Sequence, residues 1–369
     1  MIFPIKALVP ALLFLILLAA PALALEGISG LDLGFKATAL AGINGLADSD
    51  LNPGNGLARL PDKESLLLLK PDMTLVREDW LVSVKPRAEF SLKHYEIRGV
   101  SGDNSDGNAD IPEFMVRRSL TEDLFLSYGR ENLQWGPSFL FSPSNPFFSD
   151  NEKKSLVQNP EGKGLLKMVM VHDEAFAASL IYNTDKGAFN ESGFEKTLAL
   201  KLDYSGDTGY GSLILSQRDH GPERLGAFAG TTLTDAVLVY GEGSLKNDDG
   251  LSGSLLLGAT YTLESGDSLC LEYLYYEQGN DPGRNPDFLR ENYILVQFLK
   301  DDLMGGMDLV SRVTFCLDDG ACRLYSALSR ELGGHMELKT AAMIHTGGTH
   351  GAFGAFLDYQ IQLALEYTY

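Results

Sequence analysis

Lys85, Arg87, Glu89 and Lys93 fall at alternate positions of one short segment. In an extended chain, residues two apart share a face, so these four charges project together from a strand. Glu113 with Arg117, Lys201 with Asp203, and the single charges Arg218 and Glu272 occupy comparable places in other alternating segments. Opposed charges on one inner wall create a transverse field that orients polar solutes. The same residues also serve to satisfy one another inside any large polar cavity.

No set of residues in the sequence spells out covalent chemistry. His345 and His350 bracket a Thr-Gly-Gly-Thr stretch without helical spacing or an adjacent acid, so no metal site is expected. Nucleophile elbows, phosphate loops and metalloprotease helices are absent from the sequence, and neither an enzymatic activity nor a cofactor is expected. Cys316 and Cys322 flank a five-residue hairpin tip and could be bridged in an exported protein, whereas Cys270 lies within a strand pattern.

The formal net charge of −20 argues against a nucleic-acid partner. At the amino end a single cation, Lys6, precedes an apolar run over 7–20 and a small-residue site at Ala22 and Ala24. This is the layout of a cleavable signal peptide over 1–24, which leaves 25–369 as the exported chain. No later stretch is apolar enough for a membrane helix.

From residue 30 onward the pattern has period two. In the last segment Leu357, Tyr359, Ile361, Leu363, Leu365, Tyr367 and Tyr369 alternate with Asp358, Gln360, Gln362, Glu366 and Thr368. About eighteen such segments run from 31–41 to 354–368. The segment over 223–230 has the weakest apolar face, which leaves sixteen strands as the alternative count.

Connections alternate between tight links, such as 77–79, 121–122 and 333–334, and long ones over 43–62, 99–110, 133–162, 184–194 and 279–288. Short turns at one end and long loops at the other are the asymmetry of outer-membrane barrels. The expected fold is therefore all-β, a closed antiparallel transmembrane barrel in a bacterial outer membrane. Its outer face would meet lipid and lipopolysaccharide. Tyr204, Tyr261, Tyr273, Tyr275, Tyr367 and Tyr369 would form interfacial girdles.

Two motifs carry a resemblance to known families. The carboxyl end, with Ile361, Leu363, Leu365, Tyr367 and Tyr369 at alternate positions, resembles the terminal strand that the outer-membrane assembly machinery reads. The stretch from Gly129 and Arg130 through Trp135, Gly136 and Pro137 to Pro143, Ser144, Asn145, Pro146, Phe147 and Phe148 resembles a segment of several Gram-negative outer-membrane barrels. Alginate-export-like porins and capsule-assembly barrels are among them.

Prolines and glycines stiffen this stretch, and its aromatic residues are too apolar to stand free in water. It is expected to fold into the lumen as a constriction over 133–162, with Arg130 and Trp135 among the solute contacts. The resemblance implies either a porin-like channel for small polar or saccharide-like solutes, or a barrel that binds, assembles or exports a surface polysaccharide. An outer-membrane enzyme is the third alternative.

Overall fold

The computed structural model describes residues 29–148, 151, 154–157, 162–184, 196–219, 221–247, 250–277, 290–348 and 351–369. The signal segment 1–24, His350, the 279–288 loop, all but Thr184 of the 184–194 loop and part of 133–162 lie outside these residues.

Eighteen strands form one antiparallel sheet among the described residues. In chain order they are β1 (Leu31–Leu46), β2 (Lys63–Arg77), β3 (Trp80–Ile97), β4 (Val100–Ser119), β5 (Leu124–Glu131), β6 (Lys163–Val171), β7 (Phe176–Asn183), β8 (Thr197–Ser205) and β9 (Gly209–Arg218). They continue as β10 (Glu223–Thr234), β11 (Val237–Asn247), β12 (Leu251–Thr262), β13 (Ser268–Tyr276) and β14 (Asn292–Leu303). The last four are β15 (Met307–Cys316), β16 (Cys322–Gly333), β17 (Met336–His345) and β18 (Leu357–Thr368).

Each strand pairs with its sequence neighbours, and β18 returns to β1, from Lys36 opposite Thr368 to Leu46 opposite Leu357. The last residue completes the seam, with the Tyr369 and Phe35 backbones exchanging hydrogen bonds of 2.8 and 3.0 Å. Closure satisfies the strand edges that lipid would otherwise leave unpaired.

The faces sort as the alternation dictates. Leu166, Leu200, Leu215, Leu257, Leu271, Ile361 and Leu363 point outward and are exposed, whereas Leu165, Leu256, Leu295 and Ala364 point inward and are buried. An apolar exterior of this extent is costly in water and favourable against hydrocarbon. Trp80, Phe176, Tyr204, Tyr261 and Tyr369 stand exposed on the outside, near the short-turn end. Tyr204 packs on Phe176 with ring centroids 5.2 Å apart.

Three expectations change. Of residues 99–110, read as a loop, 100–110 form the outer half of β4. Their Gly, Asp, Asn and Ser content lowers strand propensity, but Arg98 and Gly99, with φ of +52° and +76°, make a two-residue turn. That turn fixes the register from Ile97 opposite Val100 onward.

The alternative of sixteen strands falls because β10, weak in pattern, is paired along both edges. Cys316 and Cys322 are free thiols rather than a disulfide. Cys322 lies opposite Phe315 in the register, so it shares the outward face of Phe315, while Cys316, one residue later, is buried on the inner face. Their Cβ vectors leave opposite faces of the sheet, which a bridge cannot accommodate.

Candidate functional site

The segment after β5 turns into the barrel and packs along the inner wall from β6 to β13. Its shape is built locally. Asn145, held between Ser144 and Pro146, accepts hydrogen bonds from the Phe147 and Phe148 amides at 2.9 and 3.1 Å through Oδ1 and donates to the Leu133 carbonyl at 2.7 Å. This is an Asx-type turn, stiffened by the prolines on either side. Phe147 then buries itself against Leu165, Ile181 and Ala199, with Leu133, Trp135 and Phe148 packed around it. Trp135 meets Phe147 edge to face at 5.8 Å. Leu140 and Phe141 join a second cluster with Tyr240, Leu274, Tyr276 and Tyr293.

Two buried carboxylates fasten this loop to the wall. Glu272 on β13, fully buried, accepts from the Phe139 and Leu140 amides at 2.7 and 2.9 Å and from the Tyr240 hydroxyl at 2.7 Å. Glu242 on β11 accepts from the Ser142 hydroxyl, and from the amide and hydroxyl of Ser144 at 3.1 and 2.7 Å. Charged acceptors make the stronger class of hydrogen bond, and here they meet backbone donors that an inward loop cannot satisfy with its own strand partners.

Two arginines take the loop's carbonyls. Arg224 donates to that of Pro143 and Arg218 to that of Pro146, the latter at 3.3 Å. Close approach also requires glycine. A Cβ on Gly226 of β10 would stand 2.7 Å from the Ser144 carbonyl oxygen, and one on Gly136, at φ +91°, would stand 2.6 Å from Glu242 Oε2.

Further along, the loop reaches the far side of the barrel. The Ser155 hydroxyl and the Leu156 amide both donate to Gln362 Oε1 of β18 at 3.0 Å, and Leu156 packs on Tyr325, Ala341 and Met343. A second inward segment, after β17, buries Phe353 under the Arg323 guanidinium, 4.5 Å from the ring centre. The segment after β1 meets this second one where the Ser49 hydroxyl donates to the Ala355 carbonyl.

The remaining wall, from β17 through β18 and β1 to β4, carries a belt of charges. Lys339 bonds Glu337 and Glu366, each at 3.0 Å, and Lys36 bonds Glu366 at 2.8 Å. Lys85 reaches Glu113 at 3.3 Å, and Arg87 forks onto Asp110 at 3.0 and 2.6 Å.

The residues singled out from sequence therefore divide. Lys85, Arg87, Glu89 and Lys93 lie on the inner row of β3, with Glu113 and Arg117 on that of β4. The Arg117 guanidinium stands over the Phe125 ring at 5.5 Å. Lys201 pairs with Asp203 and lies over Trp135 at 5.3 Å, so this group supports the loop. Arg218 and Glu272 are fasteners of the loop, covered by it.

Arg130 also leaves the solute-contacting set. It is 3% exposed and donates to the Gly162 and Ile111 carbonyls at 2.8 and 3.5 Å. It closes the seam where β4 rises past the end of β5. Sequence reasoning missed Glu242, Arg224, Asp110, Lys36, Lys339 and Glu366. Glu242 was legible as an acid in the inner row of β11, between Tyr240 and Ser244.

The fold and this inward loop define a transmembrane-type β-barrel whose lumen is crossed by its own polypeptide. No protein-family model matches the sequence, and no curated protein is significantly similar to it. Solved structures share the fold. The crystal structure of Pseudomonas aeruginosa OccK7 (OpdD) is 11% identical over 93% of this chain and 99% of its own, with a TM-score of 0.56. OccK11 (OpdR) of the same organism is 13% identical over 92% and 95% of the two chains, with a TM-score of 0.57. For its OpdQ the figures are 12%, 93%, 99% and 0.56.

Proposed function

We propose that this protein is an outer-membrane channel for small polar solutes, narrowed by the loop over 133–162. The observation that carries the reading is the contrast between the two inner half-walls. One is covered from β6 to β13 by a loop fastened on buried Glu242 and Glu272. The other carries exposed charges, among them the lateral pairs Lys36–Glu366, Lys85–Glu113 and Arg87–Asp110 between neighbouring strands. Paired charges on a polar wall let a hydrated solute exchange water contacts for protein contacts at low net cost. An apolar exterior supports a place in lipid for such a barrel, and in this reading the long loops face the outside of the cell and the strand ending at Tyr369 is what the assembly machinery reads.

Refolded protein in a planar bilayer should give steady conductance steps, and proteoliposomes should swell in small sugars faster than in large ones. Silent bilayers with no swelling would overturn the channel reading. That result would favour a barrel that holds or helps export a surface polysaccharide.

A further inference from the structure

The β3–β4 arm ends in the turn at Arg98 and Gly99, and every residue of β4 from Val100 to Ala109 is exposed. Its two edges differ. The edge of β3 that faces β2 is closed by the segment after β1. There the Asp62 amide donates to the His94 carbonyl at 3.0 Å, the Asn55 side-chain amide to the Glu96 carbonyl at 3.3 Å, and the Arg98 amide to the Gly54 carbonyl at 2.8 Å.

The opposite edge, along β4, is open. β5 pairs with β4 from Phe114 to Ser119. Beyond Phe114, among the described residues, the partners of this edge end at two carbonyls. That of Pro112 accepts from the Gly162 amide at 3.1 Å, and that of Ile111 from the Arg130 guanidinium at 3.5 Å. A two-residue turn makes Ile97 and Val100 a hydrogen-bonded pair, so the residues between the bonded pairs point the other way. Ser101, Asp103, Ser105, Gly107 and Ala109 therefore direct their N–H and C=O groups away from β3, to the open edge. Such a row is a template for one more strand.

Side chains decide which strand. From Val100 to Asp110, β4 carries Asp103, Asp106 and Asp110 and no cation, and the Asp103 side chain is 78% exposed. Two copies of the arm pairing edge to edge would bring these acids together, which opposes self-association. The acids equally repel the anionic sugars and phosphates of an outer leaflet. They favour lysine and arginine, and the net charge of −20 draws a cationic polypeptide toward the chain from a distance.

We infer that the open edge of β4 is a docking site for an extended cationic polypeptide segment, which adds to the arm as a further strand. The backbone row supplies affinity, and the aspartates select basic side chains. The site does not depend on the channel reading, since the arm rises past the end of β5.

The test is fluorescence anisotropy of a short labelled peptide of alternating lysine and threonine, titrated with the refolded barrel in uncharged detergent, beside a glutamate–threonine peptide of the same length. The native barrel should bind the lysine peptide and leave the glutamate peptide free. Ser105→Pro removes one edge-facing N–H and spares the ladder to β3, because proline is tolerated where the N–H faces out from a sheet edge. It should weaken binding by about tenfold, at low and high salt alike. Asp103→Asn combined with Asp106→Asn should weaken it by about threefold at low salt, a difference that vanishes at high salt. Heat-modifiable electrophoretic mobility verifies that each variant has folded. Equal binding of the two peptides, or native affinity in either variant, overturns the inference. So does native protein that dimerises without peptide in analytical ultracentrifugation while Ser105→Pro stays monomeric, since a second copy would then be the occupant.

Discussion

Replacing Glu242 and Glu272 together by alanine releases the inward loop and raises single-channel conductance by about twofold or more. The two carboxylates between them accept three backbone amides, two serine hydroxyls and the Tyr240 hydroxyl. With the acceptors gone, the loop either keeps its donors buried and unpaired, at about 1–3 kcal/mol for each, or lifts off the wall to find water. Five loop donors make lifting the cheaper outcome. The barrel itself should survive, since its strand pairing does not run through these side chains. Noisy, enlarged steps with unchanged heat-modifiable mobility are the expected record. Glutamine at both sites keeps one acceptor oxygen each and should fall between native and alanine. Native conductance in the double alanine variant would mean that the carboxylates do not hold the loop.

Gly226→Val should give the same phenotype without touching a charge. The added Cβ would meet the Ser144 carbonyl oxygen at 2.7 Å and its Cα at 3.0 Å, both backbone atoms that cannot swing aside. Valine suits a strand better than glycine, so β10 is expected to pair as well as before. The steric conflict falls wholly on the loop. Ala227→Val, one residue along and facing outward, is the matched control and should leave conductance at the native value. Equal conductance in all three proteins would place the loop away from β10.

Most of the architecture was legible in the sequence because membrane barrels write it there with period two. A strand with lipid on one side and a polar interior on the other has no other way to partition its side chains. The strand ending at Tyr369 shows this most clearly. The outer half of β4 was hidden because it is exposed on both faces, so no apolar row marks it and only the Arg98–Gly99 turn and pairing with β3 hold it.

The loop's entry into the lumen was legible from its aromatic and proline content. Its fasteners were not, since their roles come from what the loop lays over them. Glu272 reads as a lumen charge until Phe139 and Leu140 are seen to cover it, and Arg130 reads as a solute contact until the Gly162 carbonyl takes its guanidinium. The two-cysteine hairpin shows the converse. Spacing suggested a bridge, and the register, which a single sequence does not print, forbids it.

The most direct test of the central claim is single-channel conductance of the native protein beside a variant lacking residues 137–148, both refolded and incorporated under the same salt. A loop fastened inside the lumen predicts steady steps from the native protein and larger ones from the variant. Steps of equal size would contradict it, because a loop that lies outside the passage can be removed without widening it.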